Sequence, residues 1–312
     1  MTIAPLAIPG HPNSYDIQIA DTLPLVEACV SDLCSCPAGI PFGLRVKPRI
    51  DPGTAQVEVD ARCTCNLQPC VAVDLEGVRL SRMGKVSLVQ LKANHSRKVW
   101  LVDVTVLGKE AFTHTNEEGA SLKAVLESPA YKKLFYDVRR DADALYNLYN
   151  ITLQNVLDVQ LLELSVRISN HIHSCHLNGF AKAISLYLQP QSPSPFLWTK
   201  ELGKALMQPH ALVRVRYPGG SSTGDSGAGV VITGSHDVFE KRPLPLELVE
   251  YAAQDVALLA PLEEMLVGRV RQQVGVHIAW HTRVRNASMR RVAESRDPFD
   301  PDGPHRAFSP WI

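Results

Sequence analysis

Two pairs of residues in this sequence, and one acid between them, stand at spacings that could bring their side chains together for chemistry. Asp74 and Glu76 stand two apart in the apolar run CVAVDLEGV, residues 70–78. Side chains alternate along a strand, so both acids project from one face. Carboxylates that close repel each other unless a cation neutralises them. Magnesium and manganese accept such all-oxygen ligation. Read alone, the pair also fits the exposed end of a sheet. Tyr251 and Asp255 stand four apart, a helical spacing that stacks them one turn from each other. Ala252, Ala253, Val256, Leu258 and Leu259 around them are apolar. An acid at 255 is therefore either a surface residue or a ligand. Asp141 falls in the first turn of an expected helix, where the helix dipole alone is a sufficient reason for an acid. Asp137 and Asp143 are close by, so pattern does not single it out.

These residues need elements to hold them. Residues 70–78 read as a buried strand, followed after a turn at Gly84 by strands at 85–91 and 98–104. The short gaps predict an antiparallel meander. Helical character follows at 120–127, ended by Ser128-Pro129, then a strand at 133–138 and a helix from Arg139. A short strand at 155–160, a helix after it and a helix at 179–188 continue the alternation. Pro245 opens a strongly periodic helix that Pro261 is expected to kink or divide. Strand and helix in this order predict a mixed α/β sheet covered by helices. Residues 21–33 read as an amphipathic helix. The segments 38–69 and 211–234 look like insertions. The second holds YPGGSSTGDSGAG and reads as a disordered loop. The tail 297–312 is Pro-rich and reads as irregular.

The bulk numbers exclude some classes. With 312 residues the chain can bury a sizeable core, and its 45% hydrophobic content is ordinary. The 32 basic and 32 acidic residues cancel, so a nucleic-acid partner would need a local basic stripe. Residues 269–296 supply one: Arg269, Arg271, Arg283, Arg285, Arg290, Arg291 and Arg296 stand there against Glu294, with Trp280 and His281 among them. Such a stripe can hold phosphates and stack a base, or be a solvated helix surface. Seven cysteines in so long a chain point to reduced thiols rather than a disulfide framework. The C-x-C spacings at 34–36 and 63–65, with no histidine nearby, fit structural zinc poorly. The first thirteen residues lack a basic region and are broken by Pro5, Pro9 and Pro12, which argues against a secretory leader. No apolar run approaches the roughly 18 residues of a membrane span. An intracellular protein, cytoplasmic or nuclear and without a membrane partner, is expected.

The joint arrangement goes further than its parts. VAVDLEGVRLSRMGKVSLVQL, then LFYDVRRDADALYNLYNITLQNVLDVQLLEL with NGFAKAI, then FEKRPLPLELVEYAAQDV resemble, in order and spacing, the three motifs of the DEDD 3′–5′ exonucleases. The resemblance covers roughly residues 69–265. It is to the Tyr-containing subgroup, the RNase D and Werner-type domains, with the Egalitarian-like branch closest. The His-containing subgroup would need histidine at 250, where Glu250 stands. The resemblance implies a ribonuclease H-like mixed sheet, three antiparallel strands followed by parallel ones, flanked by helices. It implies that Asp74, Glu76, Asp141 and Asp255 hold two divalent ions, magnesium or manganese, and that Tyr251 orients the attacking water. Asp141 rather than Asp137 or Asp143 takes the second-motif position because the helix after it then keeps register with the family. The implied reaction is hydrolysis of RNA or single-stranded DNA from a free 3′ end, releasing nucleoside 5′-monophosphates. Arg79, Arg82, Lys182, Arg283 and Arg290 are candidate nucleic-acid contacts. The expected organisation is an N-terminal helix and connector over 1–68, the exonuclease domain over 69–270 with the insertion at 211–234, and a basic, Pro-rich extension over 271–312. A nucleic-acid-binding adaptor that has lost catalysis is the competing function on the same fold.

Overall fold

A computed structural model describes residues 6–7, 14–35, 69–170, 176–188, 195–218, 229–235, 237–271, 277–299 and 303–308. Among these residues seven strands form the main sheet: β1 (Leu6–Ala7), β2 (Ser14–Ala20), β3 (Cys70–Glu76), β4 (Leu88–Ala93), β5 (Lys98–Asp103), β6 (Lys132–Phe135) and β7 (Val156–Asp158). Their order across the sheet is β1-β2-β5-β4-β3-β6-β7. The pairs β3–β4 and β4–β5 are antiparallel, whereas β3–β6 and β6–β7 are parallel. That is the predicted meander followed by parallel strands. The N-terminal segment adds β2 parallel to β5, a strand the sequence pattern did not disclose.

Among the described residues ten helices cover the sheet: α1 (Leu23–Cys34), α2 (Val104–Leu107), α3 (Glu110–Thr113), α4 (Leu122–Glu127), α5 (Arg139–Tyr149), α6 (Val159–Ser169), α7 (Phe180–Tyr187), α8 (Pro195–Met207), α9 (Leu246–Arg271) and α10 (His277–Ala293). Strand alternation sorts them into two layers. Val71, Val73, Leu75, Val89 and Leu91 point toward α1, α4 and α5. Ala72, Leu88, Val99 and Leu101 point the other way, toward α6, α7 and α9. Strands buried on both faces read as continuous apolar runs, which is why β3 was legible. Among the described residues no helix is long and apolar enough to cross a membrane.

Three expectations need correction. Pro261 does not divide its helix, since α9 runs unbroken from Leu246 to Arg271. Burial of Leu258, Leu259, Leu262 and Leu266 outweighs the roughly 3 kcal/mol that an interior proline costs. The 211–234 segment is not wholly a loop: β8 (Leu212–Val215) and β9 (Val230–Thr233) pair as an antiparallel hairpin. Val213 and Val215 are buried against the α9 layer. The Gly- and Ser-rich centre masked two β-branched flanks; residues 219–228 lie outside the described residues. The tail is also partly ordered, with a 3₁₀ turn at Pro304–Ala307 and a bridge from Phe308 to His176. The proposed insertion at 38–69 falls almost wholly outside the described residues, as do Cys36, Cys63, Cys65 and Cys175. Cys29, Cys34 and Cys70 are free thiols.

Candidate active site

Strand β3 lies at the heart of the sheet and carries Asp74 and Glu76 near its C-terminal end, both half-buried on the α9 face. Helix α9 crosses this face and brings Tyr251 and Asp255, each 8% exposed, down onto the two acids. Ligand oxygens of Asp74, Glu76 and Asp255 all lie within 4.8 Å of one another. The Tyr251 hydroxyl donates a hydrogen bond to the Glu76 carboxylate. Sequence spacing put Asp74 beside Glu76 and Tyr251 beside Asp255, and the packing of α9 on β3 joins the two pairs.

Asp141 reaches the same region by another route. Helix α5 begins at Arg139 and places Asp141 in its first turn, 4% exposed. The turn before it is bent by Asp137, whose φ is 66°. Asp158 holds that turn: its carboxylate accepts the backbone N–H groups of Asp137 at 2.9 Å and Val138 at 3.1 Å. Arg291 of α10 in turn donates to Asp158 at 2.6 Å. Asp141 is not part of the tight triad, yet Asp74 and then Asp137 lie close enough to disfavour its charge.

The electrostatics show acids that the protein neutralises only in part. Burial, then the Asp255 charge, pushes the Asp74 carboxyl up to about 8. Burial with Asp74 and Asp255 beside it holds Glu76 well above the usual carboxylate range. Burial also raises Asp255, and raises Asp141 strongly. Asp255 Oδ1 is buried without a hydrogen-bond partner. An all-carboxylate donor set with a buried orphan oxygen fits a hard divalent cation of the magnesium or manganese type. The Tyr251 phenol is displaced upward by burial and then by Glu76 and Asp255, so it stays protonated.

Two residues here escaped the sequence reading. Lys200, on α8, forms an ion pair with Asp255 Oδ2 and lies over the Tyr251 ring at 4.0 Å from its centroid. Helix α8 went unrecognised because the Pro- and Ser-rich run before it resembled a linker. The helical spacing of Leu202, Ala205 and Leu206 was the available signal. Gly203, one turn after Lys200, lets α8 press onto the tyrosine; a Cβ there would run into the Tyr251 ring. The second residue is Gln90. It pairs in register with Asp74 on the same face, is fully buried, and has neither side-chain polar atom hydrogen-bonded.

The candidate nucleic-acid contacts divide. Arg79, exposed with φ at 50°, sits in the turn after β3. Lys182 is exposed on α7, and Arg283 and Arg290 are exposed on α10. Arg283 lies over the Trp280 ring at 5.5 Å. Arg82 is different: its guanidinium pairs with Asp143 at 2.7 Å and donates to the Asp297 carbonyl at 2.7 Å. That engagement ties the β3–β4 turn to α5 and the C-terminal segment, so Arg82 is a structural tie rather than an open phosphate contact. Arg291, counted in the basic stripe, is likewise buried at 4% exposure.

Comparison with known proteins agrees with this geometry. The family described as 3′-5′ exonuclease matches residues 56–184. The mouse protein named piRNA biogenesis protein EXD1 is 24% identical over 206 residues, 65% of this chain and 30% of that protein. The Bombyx mori protein of the same name is 32% identical over 101 residues, 32% of this chain and 30% of that one. The chain thus spans less than a third of the length of these curated relatives. Among solved structures, Trypanosoma brucei RNase D in complex with GMP superposes with a TM-score of 0.58 at 19% identity, covering 93% of this chain and 70% of that one. The same enzyme in complex with RNA U12 gives 0.56 at 19% identity, covering 89% and 70%.

Proposed function

We propose that the chain carries an active nuclease domain of the Tyr-containing DEDD 3′–5′ exonuclease type, a reading supported by the family match over residues 56–184 and by the fold it shares with RNase D. The reading is a metal-dependent hydrolase that removes nucleotides from the 3′ end of single-stranded RNA or DNA. The observation that carries it is the convergence of three carboxylates within 4.8 Å, with the Tyr251 hydroxyl on one of them.

Asp74, Glu76 and Asp255 would hold one divalent ion, and Asp74 with Asp141 a second. Bound there, two such ions supply a water activated at neutral pH and charge stabilisation for the leaving oxygen. The protein's own groups do the positioning. Tyr251, kept protonated by its surroundings, orients the attacking water and does not act as its base. The Asp158–Arg291 clamp fixes the turn that aims Asp141. Gly203 allows the close packing that fixes the tyrosine ring. Arg79 and Lys182 are open to solvent and available to phosphates. RNA is the favoured substrate: the RNase D whose fold this chain shares was solved in complex with RNA, and the curated relatives are named for piRNA biogenesis.

The test is a 5′-labelled single-stranded RNA and its DNA counterpart, incubated with magnesium or manganese. Wild type should generate a ladder shortening from the 3′ end with nucleoside 5′-monophosphates as product, and Asp74→Ala should not. Intact substrate under both metals, with retained binding, would establish the adaptor function instead.

A further inference from the structure

The triad of acids has one cation against it among the described residues, and that cation belongs to the protein. Lys200 pairs with Asp255 Oδ2 and is the positive charge that opposes the raised carboxyls of Asp74, Glu76 and Asp255 alike. Its residue is only 7% exposed. Its ammonium nitrogen lies 4.0 Å from the centroid of the Tyr251 ring and 5.8 Å from that of Phe180. Lys200 reaches this position from α8, whose backbone is allowed onto Tyr251 by Gly203. A buried lysine is not placed among carboxylates by chance packing, because each buried charge costs several kcal/mol unless paired.

We propose that Lys200 is the resident cation of the metal-free site, and that a divalent ion must displace its ammonium from Asp255 in order to bind. The inference rests on the reading of these acids as a metal centre. It adds that metal affinity is set by competition with a side chain of the chain itself. The ammonium and a divalent ion seek the same carboxylate, and the two cannot both lie against it without strong mutual repulsion. Asp255 Oδ1, still unpartnered, is the oxygen that Lys200 leaves to an incoming ion first. The Lys200 pairing on Oδ2 then has to give way for the triad to close around the metal.

The experiment is manganese binding to the full chain without nucleic acid, followed by the electron-paramagnetic-resonance signal of free Mn²⁺ at fixed pH and ionic strength. Lys200→Met and Lys200→Gln keep an unbranched side chain of similar reach and remove the charge; Lys200→Arg keeps the charge. Both neutral variants should bind Mn²⁺ about tenfold more tightly than wild type, a change of about 1.4 kcal/mol. Lys200→Arg should stay near wild type. A second readout guards against misfolding. Saturating Mn²⁺ should raise the thermal midpoint further in the neutral variants than in wild type, because their metal-free site has lost its internal counter-ion. Equal or weaker Mn²⁺ binding by folded neutral variants overturns the proposal while leaving the metal centre intact. Failure of wild type and every variant to bind Mn²⁺ overturns the metal reading and this inference with it.

Discussion

Two clusters of buried charge in this fold are built in opposite ways. Around Asp158 and Glu163 every acid is answered. Asp158, fully buried, accepts N–H groups from Asp137, Val138 and Gln160 as well as the Arg291 guanidinium. Glu163, also fully buried, accepts from Arg167 at 2.9 and 3.1 Å, Asn178 at 2.8 Å and Tyr187 at 3.2 Å. Around Asp74 the acids answer one another badly. Their charges are disfavoured, Asp255 keeps an orphan oxygen, and Gln90 alongside has no partner at all. The first cluster shows what this chain does with acids that serve structure. The second departs from that pattern, and such departures mark a site kept for a ligand.

The comparison breaks most visibly on Asp74. Asp74→Asn should reduce exonuclease turnover by at least about 10³-fold, the several kcal/mol that metal-held charge supplies to a transition state. Above about pH 8, where Asp74 is charged in the metal-free chain, the same variant should raise the thermal midpoint by about 2–4 °C, since it removes repulsion rather than a contact. A fall in midpoint would place Asp74 with the structural acids. Arg291→Met should do the reverse. Breaking a buried pair should cost about 3–5 kcal/mol in chemical denaturation, and a loss below about 1 kcal/mol would show that Asp158 is held without it.

The pH dependence separates the clusters next. The Asp74 carboxyl is protonated up to about 8 in the folded metal-free chain, against just under 4 when unfolded. The folded state therefore binds the extra proton. The stability it contributes is complete below about 4 and is lost as pH rises through about 8. Glu76, Asp141 and Asp255 shift in the same direction. Thermal midpoints of the metal-free protein should decline from about pH 5 to about pH 8, and saturating Mn²⁺ should flatten the decline. A metal-free midpoint that climbs over that range would contradict the assignment. The smallest effect belongs to Gln90. Gln90→Met keeps the volume and removes an amide buried without partners, so stability should rise by about 1 kcal/mol. A loss of stability would mean that an ordered water completes the amide's bonds.

Much of this site was legible because its signals are local. The spacing of Asp74 and Glu76 on a strand, and of Tyr251 and Asp255 on a helix, follows from backbone period alone. The meander β3–β5 was readable because its apolar runs are long and its gaps short. Lys200 was not legible, because its meaning depends on a contact across 55 positions of sequence. The same holds for Arg82 and Arg291. A list of arginines cannot tell an exposed phosphate contact from one consumed by Asp143 or Asp158, since burial and pairing are set by packing. The hairpin β8–β9 was hidden by the composition of the loop between its strands.

By itself the sequence determined the strand and helix periods, and with them which acids share a face. It also carried three motifs that resemble, in order and spacing, those of the DEDD 3′–5′ exonucleases. Only the tertiary structure decided that α9 packs across β3, that α5 is turned by Asp158, and that α8 delivers Lys200 to Asp255. Periodicity fixes where a side chain points relative to its own element. The distances between charges, which govern how they repel, bind metal and compete for one another, exist only once the elements are packed.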